Sequence, residues 1–170
     1  MELFDNIDYL QYGSPVQISA FQTLKKHLII DLLEPYAPLL TGTIPIGINI
    51  EGSDLDIICC YHDQANFADN IIKLFNEFEG FKLTIDTCFV VAGFKADDWQ
   101  IEVFGEAKPT RMQYAYRHML VEYQLLQIHG DDFRAEIIRL KQHGCKTEPA
   151  FAKALGLTGN PYQALLDLEV

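Results

Sequence analysis

The sequence predicts an α+β fold, a mixed sheet flanked by helices with a helical C-terminal part. Three observations predict it. An apolar stripe at helical spacing lies near the N-terminus, β-branched and aromatic runs bounded by glycines fill the middle, and every segment from Pro109 onward reads as helix. The chain has 170 residues, long enough to bury a core without disulfide or zinc staples. Its 49% hydrophobic and 22% charged residues argue against disorder. One domain over residues 1–170 is expected, a sheet-bearing part at about 15–108 and helices at about 109–170 sharing one core.

Each element has its own signal. "PVQISAFQTLKKHLIIDLL" (Pro15 to Leu33) sets Ile18, Phe21, Leu24, Leu28 and Leu32 on one helical face, with Ser14 as cap and Pro15 at the first position. "EPYAP" breaks that helix, and "LLTG" is a short buried strand ending at Gly42. "SDLDIICCYH" is the next strand, after Gly52. "QANFADNIIKLFNEFEG" is a helix that aligns Phe67, Ile71, Leu74, Phe75 and Phe78 and stops at Gly80. "FKLTIDTCFVVAGF" and "WQIEVFG" are two further strands, joined as a hairpin by the acidic turn "KADD", in which Asp97 and Asp98 are expected in solvent. Four helical segments complete the chain, "PTRMQYAYRHMLVEYQLLQIHG", "DDFRAEIIRLKQHG", "TEPAFAKALG" and "NPYQALLDLEV", the first three closing on glycine.

Net charge is −11, and such a surface repels phosphate backbones, so long nucleic acid is disfavoured as a substrate. No apolar run approaches the roughly 18 residues of a membrane span, and "MELFDNIDYLQYG" lacks the regions of a signal peptide. A cytoplasmic location without a membrane is expected. Cys59, Cys60, Cys88 and Cys145 have no CxxC spacing and read as small buried hydrophobes.

The chemistry concentrates in "GTIPIGINIEGSDLDII", Gly42 to Ile57, where two acids enter an apolar run with no basic neighbour. Burying a carboxylate is costly without a partner charge or metal. On a strand Asp54 and Asp56 face the same side, roughly 7 Å apart, so both can converge on a divalent cation at an open strand end. A third acid would complete the set. Glu102 in "WQIEVFG" is the candidate, and Asp86 in "LTIDTCF" competes but precedes the hairpin. Gly42 lets the backbone approach a ligand closely, the Thr43 hydroxyl with nearby N–H groups can cradle a phosphate, and Gly47 and Gly52 let the loop turn back.

These residues resemble the nucleotidyltransferase superfamily with the DNA polymerase beta-like fold. Gly42-Thr43, Gly47 and "SDLDI" at Ser53 to Ile57 match its signature in order and spacing, Thr43 standing for the usual Ser and Glu102 for the third acid. The match covers roughly Leu39 to Phe104. The whole chain also looks like a small bacterial domain-of-unknown-function branch, in which "GTIPIGI" and "QYAYRHMLVE" recur. The resemblance implies that Asp54, Asp56 and Glu102 bind magnesium, with two ions expected, and that Glu102 positions or deprotonates the attacking hydroxyl. It further implies transfer of a nucleoside monophosphate from a nucleoside triphosphate to a hydroxyl acceptor. Gly42, Thr43, Gly47 and Ser53 would then contact the nucleotide.

One departure stands out: Ile44 and Pro45 occupy positions where many active members carry a basic residue. Phosphate grip would have to come from Lys108, Arg111 or Arg117. Gln113 with Arg117, and His118 with Glu122, form pairs four apart on a helix starting near Pro109, although Arg117 and His118 also suit surface or packing positions. Tyr114 and Tyr116 read as partly buried helix residues with wet hydroxyls. Two other readings stand beside the enzyme. One is a nucleotide-binding or regulatory module without catalysis; the other is the nucleotidyltransferase half of a toxin–antitoxin pair with a protein partner.

Overall fold

The computed structural model of the chain describes residues 2–168. Helix α1 (Pro15–Lys26) opens with a capping box, in which Gln17 N–H donates to Ser14 Oγ at 3.3 Å and Ser14 N–H to Gln17 Oε1 at 2.9 Å. The helix does not continue to Leu33. Leu28 adopts φ 54°, a left-handed conformation rarely taken by such a side chain, and α2 (Ile29–Leu32) restarts on a new phase. The phase change buries Ile29 and Leu33, while Leu28 and Leu32, expected on the apolar stripe, are exposed. Asp97 secures the end of α1, accepting from Lys26 Nζ at 2.5 Å and Thr23 Oγ1 at 3.1 Å. Lys26, with His27 beside it, holds the Asp97 carboxyl down at about 2. The acidic turn is therefore tied to α1 rather than standing free in solvent.

Five strands, β1 (Leu39–Thr41), β2 (Leu55–Cys60), β3 (Glu79–Ile85), β4 (Phe89–Ala96) and β5 (Trp99–Glu106), form one sheet in the order β1-β2-β5-β4-β3. β2 and β5 are parallel and all other pairs antiparallel. Between β2 and β3 lies α3 (Gln64–Phe75), capped by Asp63. "FKLTIDTCFVVAGF" supplies two strands rather than one: Asp86 N–H donates to Phe89 O at 2.9 Å and closes a hairpin there. This turn contains no Gly, Pro or Asn. Instead Gln64 Nε2, reaching across from α3, donates to Asp86 O at 2.7 Å. Cys88, expected in the core, is exposed in this turn, while Cys59 is buried.

The expected single core is two clusters, one on each face of the sheet. Leu55, Ile57, Ile101 and Val103 pack with Leu24 of α1 and Phe67, Ile71 and Phe75 of α3. On the other face Leu39 and Ile58 meet Tyr116, Met119 and Leu126 of α4 (Tyr114–Gln142), Phe151 of α5 (Thr147–Leu155) and Leu165 of α6 (Pro161–Leu166). α4 begins at Tyr114, after a 3₁₀ turn over Thr110–Met112, rather than near Pro109. It kinks at Gly130 (φ 75°, ψ −162°), where the sequence divides its two helical segments. Tyr116 is fully enclosed, and its hydroxyl has no hydrogen-bond partner among the described residues; Tyr114 is exposed.

The kink turns the second limb of α4 toward the loop after β1. There, five successive carbonyls accept side-chain donors: Gln17 Nε2 donates to Ile44 O (2.9 Å) and Pro45 O (3.2 Å), Arg134 Nη1 to Ile46 O (2.5 Å) and Gly47 O (3.2 Å), and Lys141 Nζ to Ile48 O (2.7 Å). Ile44 O also accepts from Gly47 N–H at 3.2 Å, and the other four carbonyls are acceptors that an irregular loop would otherwise leave unpaired. Lys141 is buried, so its ammonium depends on that carbonyl.

Two substitutions test these supports by urea unfolding. Lys141→Met removes a charged donor from a buried carbonyl and should cost about 1.5–3 kcal/mol. At Gly105 of β5 an added Cβ would run into the buried Phe67 ring, so Gly105→Ala should cost about 1–3 kcal/mol. In both cases the midpoint should fall with the denaturant slope unchanged.

Candidate active site

Alternation along β2 and β5 decides where the acids point. Leu55, Ile57, Ile101 and Val103 take the α1/α3 face, so Asp56 and Glu102 share the opposite one. They are Cα partners across the parallel pair, and Thr41 of β1 is the partner of Asp56 on its other side. Asp54 immediately precedes β2. Burial first, then Asp54, then Glu102 push the Asp56 carboxyl up to about 7, against a pull from Lys141. Glu102 is also raised, by burial and then by Asp54. Gly42 (φ 78°) turns the chain beside this group, and a Cβ there would collide with Asp56 Oδ2. Only glycine combines that φ with so close an approach.

Asp56 and Glu102 open into a cavity of about 410 Å³. Thr41, Gly42 and Thr43 form part of its sheet side; His118 and Glu122 of α4 and Thr147 and Glu148 of α5 close it from the helices. Among the described residues, no Lys or Arg lines it. The other expected site residues lie elsewhere. Gly47 belongs to the clamped loop. Ser53 Oγ accepts from Ile50 N–H at 3.0 Å and faces a separate hollow beside Trp99. Lys108 Nζ lies 4.6 Å from the Tyr114 ring centroid, and Arg117 borders an adjacent hollow with Tyr114, Gln163 and Asp167. Arg111 is paired with Asp5 at 2.6 Å. Asp54 acts on the site through its charge without lining the cavity, and Asp86 sits at the far hairpin.

Lys141 acts on this site and was not singled out by the sequence, which named Glu122 and Gln113 through their helical spacing. Lys141 is brought down to about 8 by burial, opposed by Glu122, Glu148 and Asp56. Glu122 is held well above the usual carboxyl range by burial and by Glu148. Gln113 is the N-cap position of α4 and belongs to the cavity lining. The spacing of His118 and Glu122 was a usable signal. Lys141 offered none, because it sits in an ordinary polar run at the end of a helix.

Among the described residues no three His, Cys, Asp or Glu side chains already converge as a metal cage. Asp54, Asp56 and Glu102 nevertheless fit magnesium by donor chemistry. They supply hard carboxylate oxygens whose mutual repulsion a divalent cation would relieve, and magnesium, which retains several waters, needs only one or two such ligands.

The fold recurs in solved structures of nucleotidyltransferases. The Cid1 poly(U) polymerase bound to MgGTP matches with a TM-score of 0.59 and 14% identity, over 87% of this chain and 49% of that one. The GLD-2/RNP-8 complex matches with a TM-score of 0.57 and 14% identity, over 87% of this chain and 57% of that one. The polymerase core of TRAMP, an RNA surveillance complex, gives 0.51 and 13% identity, over 93% and 51%. This chain thus spans about half the length of these structures, and at such identity the likeness is one of fold. No curated protein matches it in sequence. The model of the family described as "Domain of unknown function (DUF4269)" matches residues 22–168, and the chain belongs to that family.

Proposed function

We propose that the chain is a magnesium-dependent nucleotidyltransferase that moves a nucleoside monophosphate from a nucleoside triphosphate to a hydroxyl acceptor. The observation that carries this reading is the pairing of Asp56 with Glu102 across β2 and β5, beside Asp54 and next to the Gly42-Thr43 turn, at a cavity. The poly(U) polymerase that shares the fold was solved with MgGTP, which supports the nucleotide.

Asp54, Asp56 and Glu102 would hold the metal, two ions in the full reading. When bound, magnesium neutralises phosphate charge and favours the ionised form of the attacking hydroxyl. Thr43 and the N–H groups around Gly42 take phosphate oxygens, while Gly47 and Ser53 shape the loop behind them. Lys108 and Arg117, both near Tyr114, meet the outer phosphates. Glu102 orients the acceptor hydroxyl and takes its proton. The acceptor oxygen bonds to the α-phosphorus, the bond from that phosphorus to the bridging oxygen breaks, and pyrophosphate leaves. Such transfer depends chiefly on positioning and electrostatics, so few protein groups suffice.

The absence of Lys and Arg from the cavity lining favours a second reading, a nucleotide-binding or regulatory module without turnover, or one half of a toxin–antitoxin pair. Titrating ATP, GTP, CTP and UTP calorimetrically, with and without magnesium, separates the two when combined with pyrophosphate release over an acceptor panel. Asp56→Asn should weaken magnesium-dependent nucleotide binding at least tenfold and abolish release. Full metal-dependent activity in that variant would refute the assignment.

The stability of the metal-free protein supplies an independent test. Asp56 has a folded pKa of about 7 against an ordinary value of 3.8, so between these limits the folded state holds a proton that the unfolded state lacks. Its contribution is most favourable below that window and is lost as pH rises through it. Asp56→Asn cannot ionise, so its stability relative to the natural chain should grow from pH 4 to pH 7.5 by about 1 kcal/mol or more, or about 2–4 °C in Tm. Magnesium should raise the Tm of the natural chain at pH 7.5 and leave that of the variant almost unchanged.

A further inference from the structure

The end of the cavity formed by α4 and α5 is rich in hydrogen-bond acceptors, with the Thr147 hydroxyl among them. Gln113 is 1% exposed, and its Nε2 donates to both Cys59 O and Lys108 O at 2.9 Å. Both partners are carbonyls, so the amide cannot be flipped, and Oε1 is left buried with no partner among the described residues. Glu122, 4% exposed, lines the same cavity and makes no hydrogen bond or ion pair among the described residues. His118 Nε2 is 2.9 Å from Tyr162 O, which requires the ring proton on that nitrogen. Nδ1, 3.8 Å from Glu148 Oε1, is then a further acceptor in the neutral ring.

Buried acceptors left unpaired are costly, and a carboxyl group among them costs more. What relieves them is a ligand rich in donors and positively charged. An ammonium group carries three donors and no acceptor, whereas a phosphate chain carries only acceptors and negative charge. The remaining wall includes Phe104 and Tyr114, whose rings suit the apolar body and the cation of an organic amine.

We infer that the acceptor is a small hydroxylated organic amine, its ammonium held by Glu122 and Glu148, its body against Phe104 and Tyr114, and its hydroxyl directed to Glu102. This rests on the nucleotidyl-transfer reading for the hydroxyl chemistry, but the amine site stands on its own geometry. It also separates this chain from a polymerase acting on a nucleic-acid end, because the backbone of such an acceptor would meet carboxylates.

The test measures binding of amines without asking for turnover. Tyramine, ethanolamine and spermidine are titrated into the full chain by NMR, each against an uncharged counterpart: 4-ethylphenol, ethylene glycol and 1,8-octanediol. An anionic control, 3-(4-hydroxyphenyl)propionate, is included. At least one amine should bind tenfold or more tightly than its counterpart, and Glu122→Gln or Glu148→Gln should each reduce that preference at least fivefold. Glu148→Gln, whose side chain is 23% exposed, keeps the test available if Glu122→Gln fails to fold. Asp54→Asn, outside the cavity lining, should retain the preference while losing MgATP binding. An amine preference without nucleotide binding would sink the nucleotidyl-transfer reading and keep the cation site. MgATP binding with no amine preferred, or with the anionic control bound best, would overturn the cation site alone.

Discussion

Asp56 and Glu102 stand side by side on neighbouring strands, and like charges in that position repel. Much of the surrounding structure answers to this pair. Lys141 is buried where its charge acts on Asp56, Gly42 replaces any side chain that would press on the carboxylate, and the apolar residues of β2 and β5 anchor the opposite face. Asp56 remains raised in spite of Lys141. The pair is therefore tolerated by the fold rather than neutralised by it, which leaves a deficit of positive charge at the position where a cation would bind.

The sequence pointed to these carboxylates because the constraints on them are local. An acid in an apolar strand is visible as a break in pattern, and glycines flanking a strand end are visible as punctuation. The α+β class was legible for the same reason. The break at Leu28 and the turn at Asp86 were not, because distant residues decide them: Asp97 holds the end of α1, and Gln64 completes a turn that lacks Gly, Pro and Asn. Lys141 came to act on the site only through the kink at Gly130 and the docking of α4 on the sheet. Its neighbours in sequence carry no trace of those contacts.

The shared fold also marks a contrast. The solved relatives include polymerases named for poly(U) synthesis and RNA surveillance, and each is about twice as long as the part this chain matches. Here the helices after β5 close the cavity with glutamates, on a chain whose net charge is −11. A field of that sign steers anions away and gathers cations. One fold can thus carry linings of different charge.

The clamped loop after β1 draws its donors from both ends of the chain, Gln17 from the first helix and Arg134 and Lys141 from beyond the Gly130 kink. The break in sequence pattern near residue 108 is consequently no seam along which the molecule could be cut. A fragment ending there would retain all five strands and the three carboxylates yet lose two of the three side chains that brace the loop. The sheet with its carboxylates is not a portable cassette, and recombination that exchanged the C-terminal helices would have to exchange the loop with them.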